Sequence, residues 1–188
     1  MTLLALLRHG DTAWSAEGRI QGRSDPPLSE AGRAALRALR LPAACRGMQV
    51  VTSPLARCVE TAALLGFPQA AQEPLIAEMS WGAWEGRRLE DLRVELGETM
   101  RDNEARGLDF RPEGGESPRE VRARVCEWMR EISGPTLAIT HRGVIRAVLA
   151  TATGWDMTGK PPAKLDWGAC HLFRLDRGGV KVEKLNLR

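Results

Sequence analysis

Two hydrophobic patterns alternate along the chain. Leu3 to Leu7 is a continuous apolar run of strand length that stops at Arg8-His9-Gly10, as a strand covered on both faces does. Met48 to Thr52 and Thr136 to Thr140 read the same way, the latter again ending on a histidine, His141. Between the strands, apolar residues recur at helical spacing. Ser29 caps a helix to about Arg40 with Ala31, Ala35, Leu36 and Leu39 on one face. Ser53-Pro54 supplies an N-cap and a first-turn proline for a helix to Leu65, stopped by Gly66. Ser117 opens a second Ser-Pro start, for a helix ending near Ile132 that buries Val121, Val125, Trp128 and Met129. Val144 to Thr153 continues as a helix up to Gly154.

The remaining segments are less regular. Residues 11 to 28 are rich in Gly, Pro, Asp and Ser, residues 87 to 106 are polar with a weak helical period, and 107 to 116 read as a loop. Cys170 to Leu175 and Val180 to Leu185 form a hairpin across Arg177-Gly178-Gly179. Strands alternating with helices predict an α/β fold, a three-layer α/β/α sandwich around a mostly parallel sheet. With 188 residues and no repeat or linker, a single domain over 1–188 is expected.

Composition narrows the function classes. The 43% apolar and 27% charged residues are those of a soluble globular chain. The net charge of +3 comes from 23 arginines against four lysines, and reads as compositional bias rather than selection for an acidic partner. The arginines are scattered and tyrosine is absent, which argues against nucleic acid as a partner. The apolar start MTLLALLR is too short for a membrane span and lacks the basic region of a signal, so no membrane association and a cytoplasmic location are expected. Cys45, Cys58, Cys126 and Cys170 share no close spacing, so they read as reduced, mostly buried thiols with no metal pattern.

Ligands of such sheets bind outside the carboxyl ends of the strands, where Arg8-His9, Arg57 and His141 are delivered. The segments around them are RHGDTAW (8–14), GRIQGRSDPPLSEAG (18–32), SPLARCVET (53–61), EMSWGAWEG (78–86), PEGGES (112–117) and THRGVIRAV (140–148). In that order, over about three quarters of the chain, they resemble the histidine phosphatase superfamily, the cofactor-dependent phosphoglycerate mutase-like branch.

The resemblance implies phosphoryl transfer to His9 on a small phosphate monoester, with no metal and no cofactor. It also implies that His9 attacks phosphorus while its other nitrogen donates to the Gly10 carbonyl, and that Arg8, Arg57 and His141 neutralise the phosphoryl oxygens. By the same resemblance, Glu78 protonates the leaving alkoxide and then activates water. Gln21 and Gly22 match the family's QG pair in the phosphate pocket. Arginine suits such a site because its planar fork meets two phosphate oxygens and stays charged. Met79, Trp81 and Trp84 beside Glu78 should raise its pKa, as a general acid requires. Glu85 and Glu116 are the alternative carboxylates. Glu116-Ser117 ahead of a helix serves a cap or an anion, and His171, mid-strand with no partner motif, reads as structural.

Two positions depart from the family. Ser15 replaces an asparagine that contacts phosphate, and Arg142, where a small residue is usual, adds a charge over the pocket or points to solvent. No cysteine phosphatase loop, DxD, GxxxxGK[ST] or GxSxG is present. The reading is therefore a phosphomonoester hydrolase acting through a phosphohistidine. A phosphoglycerate mutase is the nearest alternative, and a non-catalytic phospho-ligand binder the rival from another class. For hydrolase over mutase, the sequence offers a short polar cover at about 87–111 and an early carboxyl terminus, where mutases of the family carry longer segments.

Overall fold

The computed structural model describes all residues from Met1 to Arg188. Six strands form one sheet: β1 (Thr2–Arg8), β2 (Gln49–Thr52), β3 (Ala71–Gln72), β4 (Thr136–Thr140), β5 (Cys170–Asp176) and β6 (Gly179–Leu187). Their spatial order is β3-β2-β4-β1-β5-β6. The first four in that order are parallel, whereas β5 and β6 add an antiparallel edge that includes the expected hairpin. A mostly parallel central sheet is therefore present, and the helices are α1 (Ala13–Ala16), α2 (Glu30–Ala38), α3 (Ala56–Leu64), α4 (Leu89–Ala105), α5 (Pro118–Glu131) and α6 (Arg142–Thr153).

The pleat sorts each strand's side chains into two cores. Leu4 and Leu6 of β1, with Ala138 and Phe173, pack against Val121, Val125 and Trp128 of α5 and Val144, Ile145 and Val148 of α6. Their neighbours Ala5 and Leu7, with Leu137 and Leu172, face Cys45 and Met48 on the other side, and Ile139 meets Cys58 and Ala62 of α3. Continuous apolar runs in β1 and β4 follow from this, because both faces are covered. Cys45, Cys58 and Cys170 are buried, Cys126 is half-buried, and all four are free thiols.

Helix ends explain where prediction and structure part. Ser117 caps α5 with a reciprocal Glu120 bond, and Pro118 follows it, as expected. The Ser53-Pro54 expectation is corrected: α3 begins at Ala56, and the carboxylate of Asp25 accepts from the Ala56 and Arg57 amides. Ser53 is otherwise engaged, since its hydroxyl lies 2.8 Å from His141 Nε2. The weakly periodic 87–106 segment is α4, broken at Gly97 where φ is 52°. The loop after it contains a tight helical turn at Gly107–Asp109. No helix is long and apolar enough to cross a membrane.

Candidate active site

Strand register brings the two histidines together. Arg8 of β1 pairs with Thr140 of β4, so the next residues, His9 and His141, emerge side by side at the carboxyl edge. The His9 amide donates to the Thr140 carbonyl at 2.9 Å, and the two imidazole centroids are 5.2 Å apart. β2 ends one strand further on, where the Ser53 amide donates to Ile139, and the chain then turns into α3 to deliver Arg57. Glu78 comes from the segment after Pro74–Ile76, which the Thr140 hydroxyl pins by donating to the Ile76 carbonyl at 2.7 Å.

His9 is buried, and its Nδ1 lies 2.7 Å from the Gly10 carbonyl oxygen. A carbonyl can only accept, so Nδ1 carries the proton and Nε2 keeps its lone pair. Burial holds the His9 pKa well below the usual histidine value, and the cations Arg8 and Arg57 lower it further. The imidazole is thus neutral at neutral pH. Arg57 Nε donates to the His9 Nε2 lone pair at 3.3 Å.

Arg57 is fully buried, which for a guanidinium demands partners. Its Nη1 donates to the Ser24 carbonyl at 2.9 Å and to Asp25 Oδ1 at 3.0 Å, and its Nη2 to the Gly22 carbonyl at 2.8 Å. Arg8 is also buried; its Nη1 pairs with Asp11 at 3.0 Å, and its Nε has no partner. That unmatched donor at the base of the cleft suits an anion.

His141 is fully buried beside Arg57. Arg57 Nη2 donates to His141 Nδ1 at 3.3 Å, which leaves the His141 proton on Nε2, donated to Ser53 Oγ. Burial first, then His9 and Arg57, push its pKa down. Both ring nitrogens have partners, Nδ1 in Arg57 and Nε2 in Ser53. The Cys58 thiol lies 3.4 Å from His141 Nε2, and burial pushes its pKa far up, so it is inert there.

Three carboxylates near the cleft are told apart by their surroundings. Burial raises the Glu78 pKa, against bonds from the Met79 amide at 2.9 Å and the Gly143 amide at 3.1 Å. A Cβ on Gly143 would sit 2.3 Å from Glu78 Oε1, so only glycine lets the carboxylate reach the start of α6. Burial also pushes Glu85 and Glu116 upward, but their partners outweigh it and both end lowered. Glu85 accepts from Arg23, Ser24 and Trp81, and Glu116 from Ser80 and Arg124. Both act as braces.

The smaller site residues divide. Gln21 lines the cleft and accepts from the Thr12 hydroxyl at 3.0 Å, leaving its amide NH2 unassigned to any partner. Ser15 also lines the cleft, but its hydroxyl accepts from the Thr12 amide at 2.9 Å and reaches Asp11 at 3.1 Å. It completes the capping box of α1. Arg142 does not simply point to solvent: it lines the cleft with its guanidinium 5.0 Å over the Trp167 ring. His171 is buried, with Nδ1 accepting from the Asn186 amide at 3.3 Å, in a structural position.

Gly22 has φ of +56°, and a Cβ there would meet Glu85 Oε1 at 2.1 Å. Glu85 is pinned by three backbone amides, so it cannot step aside. Gly22→Ala is expected to cost about 2 kcal/mol or more of folding stability. The measurement is a lowered urea midpoint at unchanged slope; an unchanged midpoint would show that this turn relaxes freely.

Asp25, Ser53, Gly143 and Arg146, which also lines the cleft, are the site residues that sequence reasoning did not single out. Asp25 before a Pro-Pro turn and Arg146 one turn after Arg142 were visible signals. Ser53 was misread as a cap.

A family model of the histidine phosphatase superfamily (branch 1) matches residues 4–188. The chain belongs to that superfamily. A 2,3-bisphosphoglycerate-dependent phosphoglycerate mutase of Methylobacterium sp. is 31% identical, across 92% of this chain and 91% of the relative. Phosphoserine phosphatase 1 of Hydrogenobacter thermophilus is 28% identical, across 100% and 93%. Among solved structures, TTHB049 from Thermus thermophilus superimposes with a TM-score of 0.78 at 31% identity, with both chains covered completely. Histidine phosphatase relatives named as mutases and as phosphatases therefore both match this chain over nearly their whole length. Chain length does not separate the two activities here, which corrects the expectation drawn from the early carboxyl terminus.

Proposed function

We propose that the protein hydrolyses a small phosphate monoester through a phosphohistidine on His9. His9 Nε2 attacks phosphorus and the P–O bond to the alcohol breaks. Arg8 and Arg57 hold the phosphoryl oxygens, Glu78 protonates the departing alkoxide, and the same carboxylate then takes a proton from the water that cleaves the N–P bond. Gln21, Gly22 and the Arg142 guanidinium complete the binding surface. His141 is assigned a positioning role, holding Arg57 rather than touching phosphate, and Ser15 supports the Asp11–Thr12 turn.

The observation that carries hydrolase over mutase is the space above His9. The cleft has a volume of about 580 Å³ and is lined by both polar and apolar residues. That is the range of sites for drug-sized ligands, and a three-carbon acid would leave room for water at the phosphohistidine. A mutase must keep water out between the two transfers. Helix α4 contributes only Leu89, Arg93 and Glu104 to the cleft wall.

The test runs both activities on one preparation, with EDTA present. Phosphate release from a panel of monoesters should far exceed interconversion of 3- and 2-phosphoglycerate, even with 2,3-bisphosphoglycerate added. Isomerisation far faster than hydrolysis would assign the protein to the mutases, and phosphate binding with neither reaction would make it a binder.

A further inference from the structure

Beyond the phosphoryl end, the cleft carries more positive charge than its acids balance. Arg8, Arg19, Arg57, Arg93, Arg142 and Arg146 all line it. The first four pair with Asp11, Glu17, Asp25 and Glu104 at 3.0, 2.7, 3.0 and 2.7 Å. Arg142 and Arg146 hydrogen-bond to no carboxylate; Asp11 and Glu78 act on Arg142, and Glu78 on Arg146, only through space.

Their placement is forced by α6. Residues four apart share a helix face, and the opposite face holds Val144, Ile145, Val148 and Leu149, all fully buried in the core. Arg142 is held over Trp167 and feels Arg8, Arg146 and the carboxylates of Asp11 and Glu78, and Arg146 also feels Glu78. Both arginines therefore stand on the cleft-lining side of α6, in the wall that also holds His9 and Glu78. Desolvation by the cleft walls lowers both guanidinium pKa values, Arg142 to about 10, a cost that a bound anion would relieve.

The same cleft is also lined by the apolar side chains of Trp81, Phe110, Trp155 and Met157. Met157 has φ of +65°, a strained value for a side chain of this kind. Its loop is tied down where the Leu108 amide donates to the Asp156 carbonyl at 2.8 Å. Strain held in place at a cleft wall fits a shaped binding surface.

We propose that Arg142 and Arg146 form a second anion subsite, so that the preferred substrates are phosphate monoesters whose leaving alcohol bears a further anionic group on an apolar or aromatic body. This rests on the hydrolase reading of the same site. The test compares phenyl phosphate with 4-carboxyphenyl phosphate by kcat/KM, and benzylphosphonate with 4-carboxybenzylphosphonate by calorimetric Kd. The carboxylated member should be favoured about tenfold or more in both pairs. Arg142→Met and Arg146→Met should each shrink that ratio, and Arg146→Glu should invert it toward 4-(aminomethyl)phenyl phosphate, a gain no unfolded variant can show. Equal use of both members by the unmodified protein, or the same ratio in Arg146→Glu, overturns the subsite. A phosphonate preference without hydrolysis of either aryl phosphate upholds the subsite and removes the hydrolase reading instead.

Discussion

Replacing His9 by alanine is expected to abolish phosphoenzyme formation and lower turnover on the order of a thousandfold or more, because no other nucleophile faces the cleft. The nearby thiol of Cys58 is buried and held protonated, and Ser15 is engaged by the Asp11–Thr12 turn. After brief mixing with substrate and a denaturing quench, the unmodified protein should carry one phosphate on His9, labile in acid and stable in base. Label on serine or cysteine would sink the mechanism, as would substantial activity in His9→Ala. His9→Ala should remain folded, since its ring makes the local bond to Gly10 and contacts to Arg57 and His141 within the cleft wall.

Glu78→Gln is expected to lower turnover about a hundredfold or more on alkyl phosphates, whose leaving groups need a proton, and far less on p-nitrophenyl phosphate. Equal impairment on both substrates would show that Glu78 shapes the site without moving a proton. The pH profile follows from the two shifted groups. The Glu78 pKa is raised, so its acid form survives to higher pH than an ordinary glutamate, and activity on poor leaving groups falls as pH rises through that value. The His9 pKa is lowered, so the neutral nucleophile persists into mild acid, and activity falls as pH drops through that value. For Glu78→Gln, the alkaline limb should vanish while the acid limb remains.

The legibility of this site depended on how local each determinant is. β1 and β4 were readable because continuous apolar runs are a property of the segment itself, and α5 because Ser117, Pro118 and Glu120 carry its start within four residues. α3 was misjudged at its start because its cap, Asp25, lies about thirty residues away in sequence. The same reason hid the duty of Ser53: its partner His141 follows a strand two crossovers later.

What the sequence by itself determined is the fold class, the order of the elements, and the identity of the groups at the strand ends, since periodicity, caps and residue chemistry are local. Only the tertiary structure decided what those groups face. Register between β1 and β4 set His9 against His141, complete burial turned Arg57 toward Asp25 and His141, and unequal desolvation and pairing separated Glu78 from Glu85 and Glu116. Charge state and hydrogen-bond direction depend on the dielectric and partners around an atom. Residues distant in sequence supply both.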